Sequence, residues 1–269
     1  MTASSDSNPG EQKDRYSIAV VTSALRLLTA LGRGGISNSD AARLLGTSRS
    51  SAYRLLVTLE SERYAFHDEA RREWLPGSAL LTLGSAAQVL VLRALALPGM
   101  RRLHDEENET VNLGQYVGGE LTYVEILESN QLFRTTAAPG QRANLHSTAL
   151  GKAILAVLPD DQLRSTVESL KLDATTPVTR TNMADLLAEI KAVRERGWSE
   201  ELGEDSLGVG CVGAAIVAPD GSPIGGISVS APQARLDAER TAAIGRRVSE
   251  EVAVISEQLK QDSSTTHPA

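Results

Sequence analysis

Cysteine is nearly absent from this chain: Cys211 is the single one among 269 residues. That excludes an intramolecular disulfide framework and suits a reducing cytosol. Aromatic residues are scarce too, nine in all, which argues against gripping single strands by stacking bases on rings. No uninterrupted apolar run reaches the roughly 18 residues of a membrane span, so no membrane partner is expected. The opening MTASSDSNPGEQKD has no apolar core and reads as a disordered tail, not a signal peptide. The closing QDSSTTHPA reads the same way. His67, His104, His146 and His267 are scattered, and one cysteine beside them supplies no zinc spacing. Neither a metal nor a cofactor is expected.

Charge is unevenly placed. The chain carries −7, which argues against a protein that coats nucleic acid uniformly. Residues 15–76 hold nine arginines, no lysine and six carboxylates, a balance of +3, whereas residues 77–269 stand at −8. A weakly basic head on an acidic body fits specific DNA binding by one domain, with the body kept off the DNA. The length is that of about two domains.

The head contains AARLLGTSRSSAYRLLVTLE, residues 41–60. Ser39 is the expected N-cap of a helix over 40–45, and Asp40 suits its positive first turn. Gly46 then stands where a helix end wants a left-handed residue. Thr47 or Ser48 can cap a second helix from Arg49 to Glu60, with Ala52, Leu55, Leu56 and Leu59 as its apolar stripe. If that stripe faces the core, Arg49, Ser50 and Ser51 are presented to a DNA groove. Arg49 suits guanine, while Tyr53 and Arg54 suit phosphates or flanking bases. Spacing alone fits an ordinary helical hairpin equally well. A short strand Tyr64–Phe66, a polar turn over 67–72 and a second strand at Trp74-Leu75 then make a wing, with Arg71 and Arg72 at its tip. A solvated hairpin tip is the plainer alternative. Ser17–Leu31, with Val20, Val21, Leu25, Leu28 and Leu31 at helical spacing, supports the pair.

Past the wing, Ser85–Leu97 is a helix apolar on nearly all sides. It is either buried in its own chain or, the favoured reading, a contact between subunits. From Pro98 the pattern becomes α+β. Helices are expected at 101–108, 149–158, 183–196 and 237–260. Strands are expected at 110–117, 121–127, 133–136, 209–218 and 225–229, gathered into an antiparallel sheet.

The chain resembles the IclR family of bacterial transcriptional regulators over about residues 15–262. The resemblance rests on residues 41–60, on LHSTALGKAILAVL at 145–158 and on RERGWSEELGEDSLGVGCVGAAIVAPDGSPIGGISVS at 194–230. It implies a winged helix-turn-helix at 15–78, a linker helix at 79–97 and a GAF-like effector domain at 98–262. Tails at 1–14 and 263–269 complete the division. Double-stranded DNA with palindromic or paired half-sites, a homodimer or homotetramer, and a small carboxylate effector are the implied partners, in the cytoplasm. The carboxylate would meet the backbone N–H groups of Ala149 and Leu150, since helix N-termini bind anions. Cys211, Ser228 and Ser230 would line the pocket; two residues apart, the serines share one strand face, although an edge-strand surface explains them equally. Glu201 would stand where the family usually has aspartate. Gly213 and Ala215 replace the usual alanine and proline, and Pro76 replaces leucine.

GVGCVG at 208–213 matches the dinucleotide fingerprint, but a strand and not a helix follows it, so the match is rejected. An enzyme would need a nucleophile–base pair or a metal cluster, and neither is found. A ligand-controlled DNA-binding regulator is the leading reading. A DNA-binding scaffold whose body has lost its ligand is the alternative.

Overall fold

Helices α1 (Ala19–Leu31), α2 (Asn38–Leu45) and α3 (Arg49–Ser61) open a computed structural model that describes residues 18–265. The expected tail over 1–14 and the start of α1 at Ser17 lie outside those residues. Helix α2 begins two residues earlier than its expected start because Ser37, not Ser39, is its cap. The Ser37 hydroxyl accepts the Asp40 N–H at 3.1 Å and donates to the Asp40 carboxylate at 2.6 Å. Gly46 adopts φ 61°, ψ 34°, and the Thr47 N–H reaches back to Ala42 O at 3.0 Å. That left-handed residue turns the chain sharply into α3. Ser48, one of the two expected candidates, caps α3 by accepting the Ser51 N–H.

The core of this unit gathers Leu27 and Leu31 of α1, Ala41 and Ala42 of α2, Ala52, Leu56 and Leu59 of α3, and Trp74. Leu55 is only half-buried. Helix α1 turns a different face inward than its periodicity implied: Val20, Val21 and Leu25 are exposed. Strands β1 (Ala65–Asp68) and β2 (Glu73–Pro76) form the wing. Asp68 Oδ1 accepts the N–H groups of Ala70 and Arg71, which tightens its tip.

Helix α4 (Ser78–Glu107) merges the two helices expected on either side of Pro98. The prolyl ring removes one N–H, which normally breaks a helix. Here Leu92, Ala96, Met100 and Leu103 fall on one stripe across it, each at most 2% exposed, and their burial holds the helix together. The chain divides into two units within α4, between Gln88 and Val89. By length and composition α4 is also the one helix among the described residues apolar enough to span a bilayer. No stretch of that length is expected from the sequence reading.

The second unit is built on a six-stranded antiparallel sheet in the order β5-β4-β3-β8-β7-β6. Its strands are β3 (Thr110–Val117), β4 (Glu120–Leu127), β5 (Arg142–Ala143), β6 (Ser199–Leu202), β7 (Val209–Val217) and β8 (Pro223–Pro232). One face packs Val111, Leu113, Val212, Ala214, Ile216, Ile227 and Val229 against α4 and α8 (Ala238–Thr265). The other carries α5 (Ala149–Val157), α6 (Asp160–Ser169) and α7 (Met183–Arg196), with a core around Leu150, Ile154, Leu163 and Ile190. Gly197, at φ 84°, ends α7 as expected. Residues 133–136 are not a strand. Thr135 is held instead by its carbonyl to the Thr110 hydroxyl and by its hydroxyl to Ser230 O. Helix α8 runs to Thr265, into the stretch expected as a tail.

Candidate nucleic-acid interface and ligand pocket

Cap chemistry at Ser48 sets how α3 presents its first turn. Thr47, Ser48, Arg49, Ser50, Ser51, Tyr53 and Arg54 are all exposed on it, and Arg71 and Arg72 are exposed at the wing tip. The Ser48 hydroxyl lies 2.9 Å from that of Ser50 and donates to that of Ser51 at 3.0 Å, so the three form one cluster around the cap. Asn38 Nδ2 donates to Arg49 O at 3.2 Å, tying the starts of α2 and α3 together. Arg49, Arg54 and Arg72 have no carboxylate partner among the described residues, whereas Arg71 approaches Asp68 at 3.7 Å. Charge left unpaired at an exposed helix start is available to phosphates and base edges. Tyr53 is exposed and also touches the wing. Its ring stands edge-on to Trp74 at 5.9 Å, bracing α3 against the wing.

In the second unit, strand parity builds a pocket on the face that carries α5. Residues 111, 113, 227 and 229 point to the apolar core, so Asn112, Ser228 and Ser230 point the other way. Ser230 pairs with Cys211, and Cys211 with Glu201, across neighbouring strands. The result is a cavity of about 400 Å³ whose lining includes Asn112, Tyr123, Thr148, Glu201, Cys211 and Ser230. Strand β8 is central, so the edge-strand reading of the serines is excluded.

Thr148 brings the start of α5 to this cavity. Its hydroxyl accepts the Gly151 N–H at 3.0 Å, while the N–H groups of Ala149 and Leu150 have no acceptor among the described residues. The approach of α5 to the preceding chain requires glycine at 151, where a Cβ would lie 2.4 Å from Asn144 O. Ala149, Leu150 and Ser228 are buried and stand behind the lining. Ser228 Oγ lies 3.4 Å from Nδ2 of the lining residue Asn112, and Ala149 directly follows the lining residue Thr148.

A chain of hydrogen bonds crosses the pocket wall. Asn112 Nδ2 donates to Ser230 Oγ at 2.9 Å and lies 3.4 Å from Ser228 Oγ. Ser230 Oγ is 3.0 Å from Cys211 Sγ, and Cys211 stands opposite Glu201 across β6 and β7. Glu201 Oε2 accepts the Glu204 N–H at 2.9 Å. Burial pushes the Glu201 carboxyl up to about 7, against the opposing pull of Cys211 and the Glu204 N–H. Burial, with Glu201 beside it, likewise raises Cys211 well above the usual thiol range. Asp205 completes the acidic side, accepting from the Ser147 hydroxyl at 2.7 Å. Behind Glu201, fully buried Lys152 donates to Glu204 Oε1 at 2.7 Å, and Arg180 reaches the same oxygen.

Of the six expected residues, Glu201, Cys211 and Ser230 line the cavity, while Ala149, Leu150 and Ser228 are buried outside its lining. Asn112, Tyr123 and Asp205 were not identified from sequence. For Asn112 the available signal was its even parity against the apolar pair Val111 and Leu113. The GVGC segment enters β7 directly, with no helix after it, which agrees with rejecting a nucleotide loop.

Residues 17–69 match the IclR helix-turn-helix domain, and residues 84–257 match the bacterial transcriptional regulator IclR C-terminal domain. The HTH-type transcriptional repressor AllR of Escherichia coli strain K12 is 31% identical over 255 residues, covering 93% of each chain. The HTH-type transcriptional regulator BhcR of Paracoccus denitrificans is 31% identical over 242 residues, covering 88% of this chain and 86% of that one. The crystal structure of Thermotoga maritima IclR superposes with a TM-score of 0.61 at 28% identity, covering 89% of this chain and 98% of that one. With both halves matched in order, the chain belongs to the IclR family of bacterial transcriptional regulators, a DNA-binding helix-turn-helix ahead of an IclR C-terminal domain.

Proposed function

We propose that this protein is a cytoplasmic regulator whose hold on operator DNA is altered by a small carboxylate bound in the C-terminal cavity. The convergence of Glu201, Cys211, Ser230 and Thr148, the cap of α5, on one cavity carries the reading. A helix start offers oriented N–H donors and a positive dipole end, which bind a carboxylate without a cationic side chain. Cys211, held as a thiol by burial, serves as a hydrogen-bonding group and not as a nucleophile. The polar wall fixes orientation, and a cavity of this volume suits a small metabolite.

On the output side α3 enters the major groove and the wing contacts the backbone. Two subunits on paired half-sites, as a dimer or a tetramer, place two such helices on one operator. Leu81, Leu83, Leu90 and Val91 of α4 are exposed, and pairing of subunits buries such surface better than a lipid bilayer would suit the arginines near its C-terminal end. Effector binding shifts the paired heads between two arrangements, and a useful coupling is about 1–3 kcal/mol.

Arg49→Ala is expected to weaken operator binding by about 1–3 kcal/mol and to relax preference at one base pair. Competition between operator and random duplexes measures it; equal loss on both would make Arg49 a phosphate contact. Ser228→Ala combined with Ser230→Ala is expected to abolish the effector response in a gel-shift titration while sparing operator affinity. Ser230, at the lining, carries the larger share. A retained response in the double variant places the pocket elsewhere. Thermal shift against small organic acids separates this reading from a scaffold without a ligand, which no acid would stabilise.

A further inference from the structure

Among the described residues that line the proposed pocket, one buried side-chain atom is left without a hydrogen-bond partner. Asn112 is 2% exposed and lines the cavity, and its Oδ1 is buried without a hydrogen-bond partner. Its amide orientation follows from the wall. Ser230 Oγ lies 3.0 Å from Cys211 Sγ, a partner for the hydroxyl proton that leaves the oxygen free to accept. Asn112 Nδ2 supplies that bond at 2.9 Å, and Ser228 Oγ accepts more weakly at 3.4 Å. Both serines thus fix the NH₂ end of the amide toward themselves. The carbonyl end is left as a buried acceptor, and burying an acceptor without a donor is unfavourable enough that native structures rarely retain one.

We infer that Asn112 is a specificity-determining residue whose Oδ1 selects an effector bearing an O–H or N–H donor in addition to its carboxylate. This rests on the pocket reading above. The two ends of such a ligand find complementary groups: the carboxylate meets the N–H groups at the start of α5, and the donor meets Asn112 Oδ1. A plain alkyl acid leaves the same acceptor unpaired in the complex, and a site built to hydrogen-bond a hydroxyl rejects the analogue that lacks it.

The test is calorimetric titration of the full chain with matched acids in which hydroxyl replaces methyl: lactate against isobutyrate, and 3-hydroxybutyrate against 3-methylbutyrate. At least one hydroxy acid is expected to bind ten-fold or more tightly than its methyl counterpart. Asn112→Leu, close in shape but without an acceptor, is expected to bring that ratio to within two-fold while the methyl acid still binds. Should Asn112→Leu lose its cooperative thermal transition, Asn112→Ala gives the same comparison. Acids that bind without hydroxyl preference, or a preference that survives in the folded Asn112 variant, overturn the inference and leave the carboxylate pocket standing. Failure of every acid to bind overturns the pocket reading and this inference with it.

Discussion

Glu204→Leu is expected to destabilise the C-terminal unit by about 3–5 kcal/mol, because it strands a buried ammonium. Lys152 Nζ lies 2.7 Å from Glu204 Oε1, and its side chain is 0% exposed. Burial already lowers the Lys152 pKa, with Glu204 the main opposing influence. Without Glu204, Lys152 must lose its proton or draw water into the core, and either costs free energy. Arg180, the second partner of Glu204, is a third exposed and keeps Glu189 at 3.2 Å, so it adds little to the loss. Lys152→Met with Glu204→Leu is expected to recover most of the stability, since an apolar pair of similar volume replaces the ion pair. Urea denaturation of the three variants measures this. A loss below about 1 kcal/mol for Glu204→Leu would mean that the ammonium is hydrated, as exposed ion pairs are.

Glu201 carries the second large expectation, a pH dependence with a defined sign. Its folded value of about 7 lies above the ordinary 4.5 because burial disfavours the carboxylate. A group whose value is raised on folding contributes full stability below its unfolded value. That contribution is lost as pH rises through the folded one. Between pH 4.5 and 7 the loss from Glu201 is about 3 kcal/mol, and Glu201→Gln is expected to remove it. The difference between wild-type and variant denaturation free energies across that range isolates the term, since every other group is common to both. An anionic effector raises Glu201 further, so binding takes up a proton. Above pH 7 effector affinity is expected to fall by up to about ten-fold per pH unit, and to be flat in Glu201→Gln. Identical pH profiles for the two proteins would show that Glu201 is hydrated and ionised in the pocket.

The two expectations are linked through the main chain. The Glu204 N–H donates to Glu201 Oε2, so the residue that pairs with Lys152 also helps hold the carboxylate of the cavity. Loss of the ion pair is therefore expected to alter the pH profile of effector binding as well as stability.

Much of the helix-turn-helix is legible in the sequence. The apolar residues 52, 56 and 59, a glycine at 46 and a serine at 48 are signals read within one or two turns of chain. Errors there were also local: Ser37 outcompeted Ser39 as cap because only Ser37 has Asp40 three residues on to complete a reciprocal pair. Helix α6 and strand β6 escaped notice because they are short and polar, with Leu163 and Val167 the only buried residues of α6. The stripe on α1 was misjudged because Val20, Val21 and Leu25 are apolar and yet exposed, and periodicity cannot say which apolar face meets the core.

By itself the sequence determined the elements whose causes are local: the turn at Gly46, the end of α7 at Gly197, the hairpins, and the shared parity of Ser228 and Ser230. Tertiary structure alone decided that β8 is central, that α4 continues through Pro98, and that Asn112 joins the two serines across the sheet. Those outcomes depend on residues more than a hundred positions apart meeting in space. Caps and turns are settled by a few neighbouring dihedrals and hydrogen bonds. Burial is settled only by what arrives from elsewhere in the chain. The scarce cysteine of the opening count illustrates the difference: one Cys211 excluded a disulfide framework at once, but only the folded sheet set it between Ser230 and Glu201.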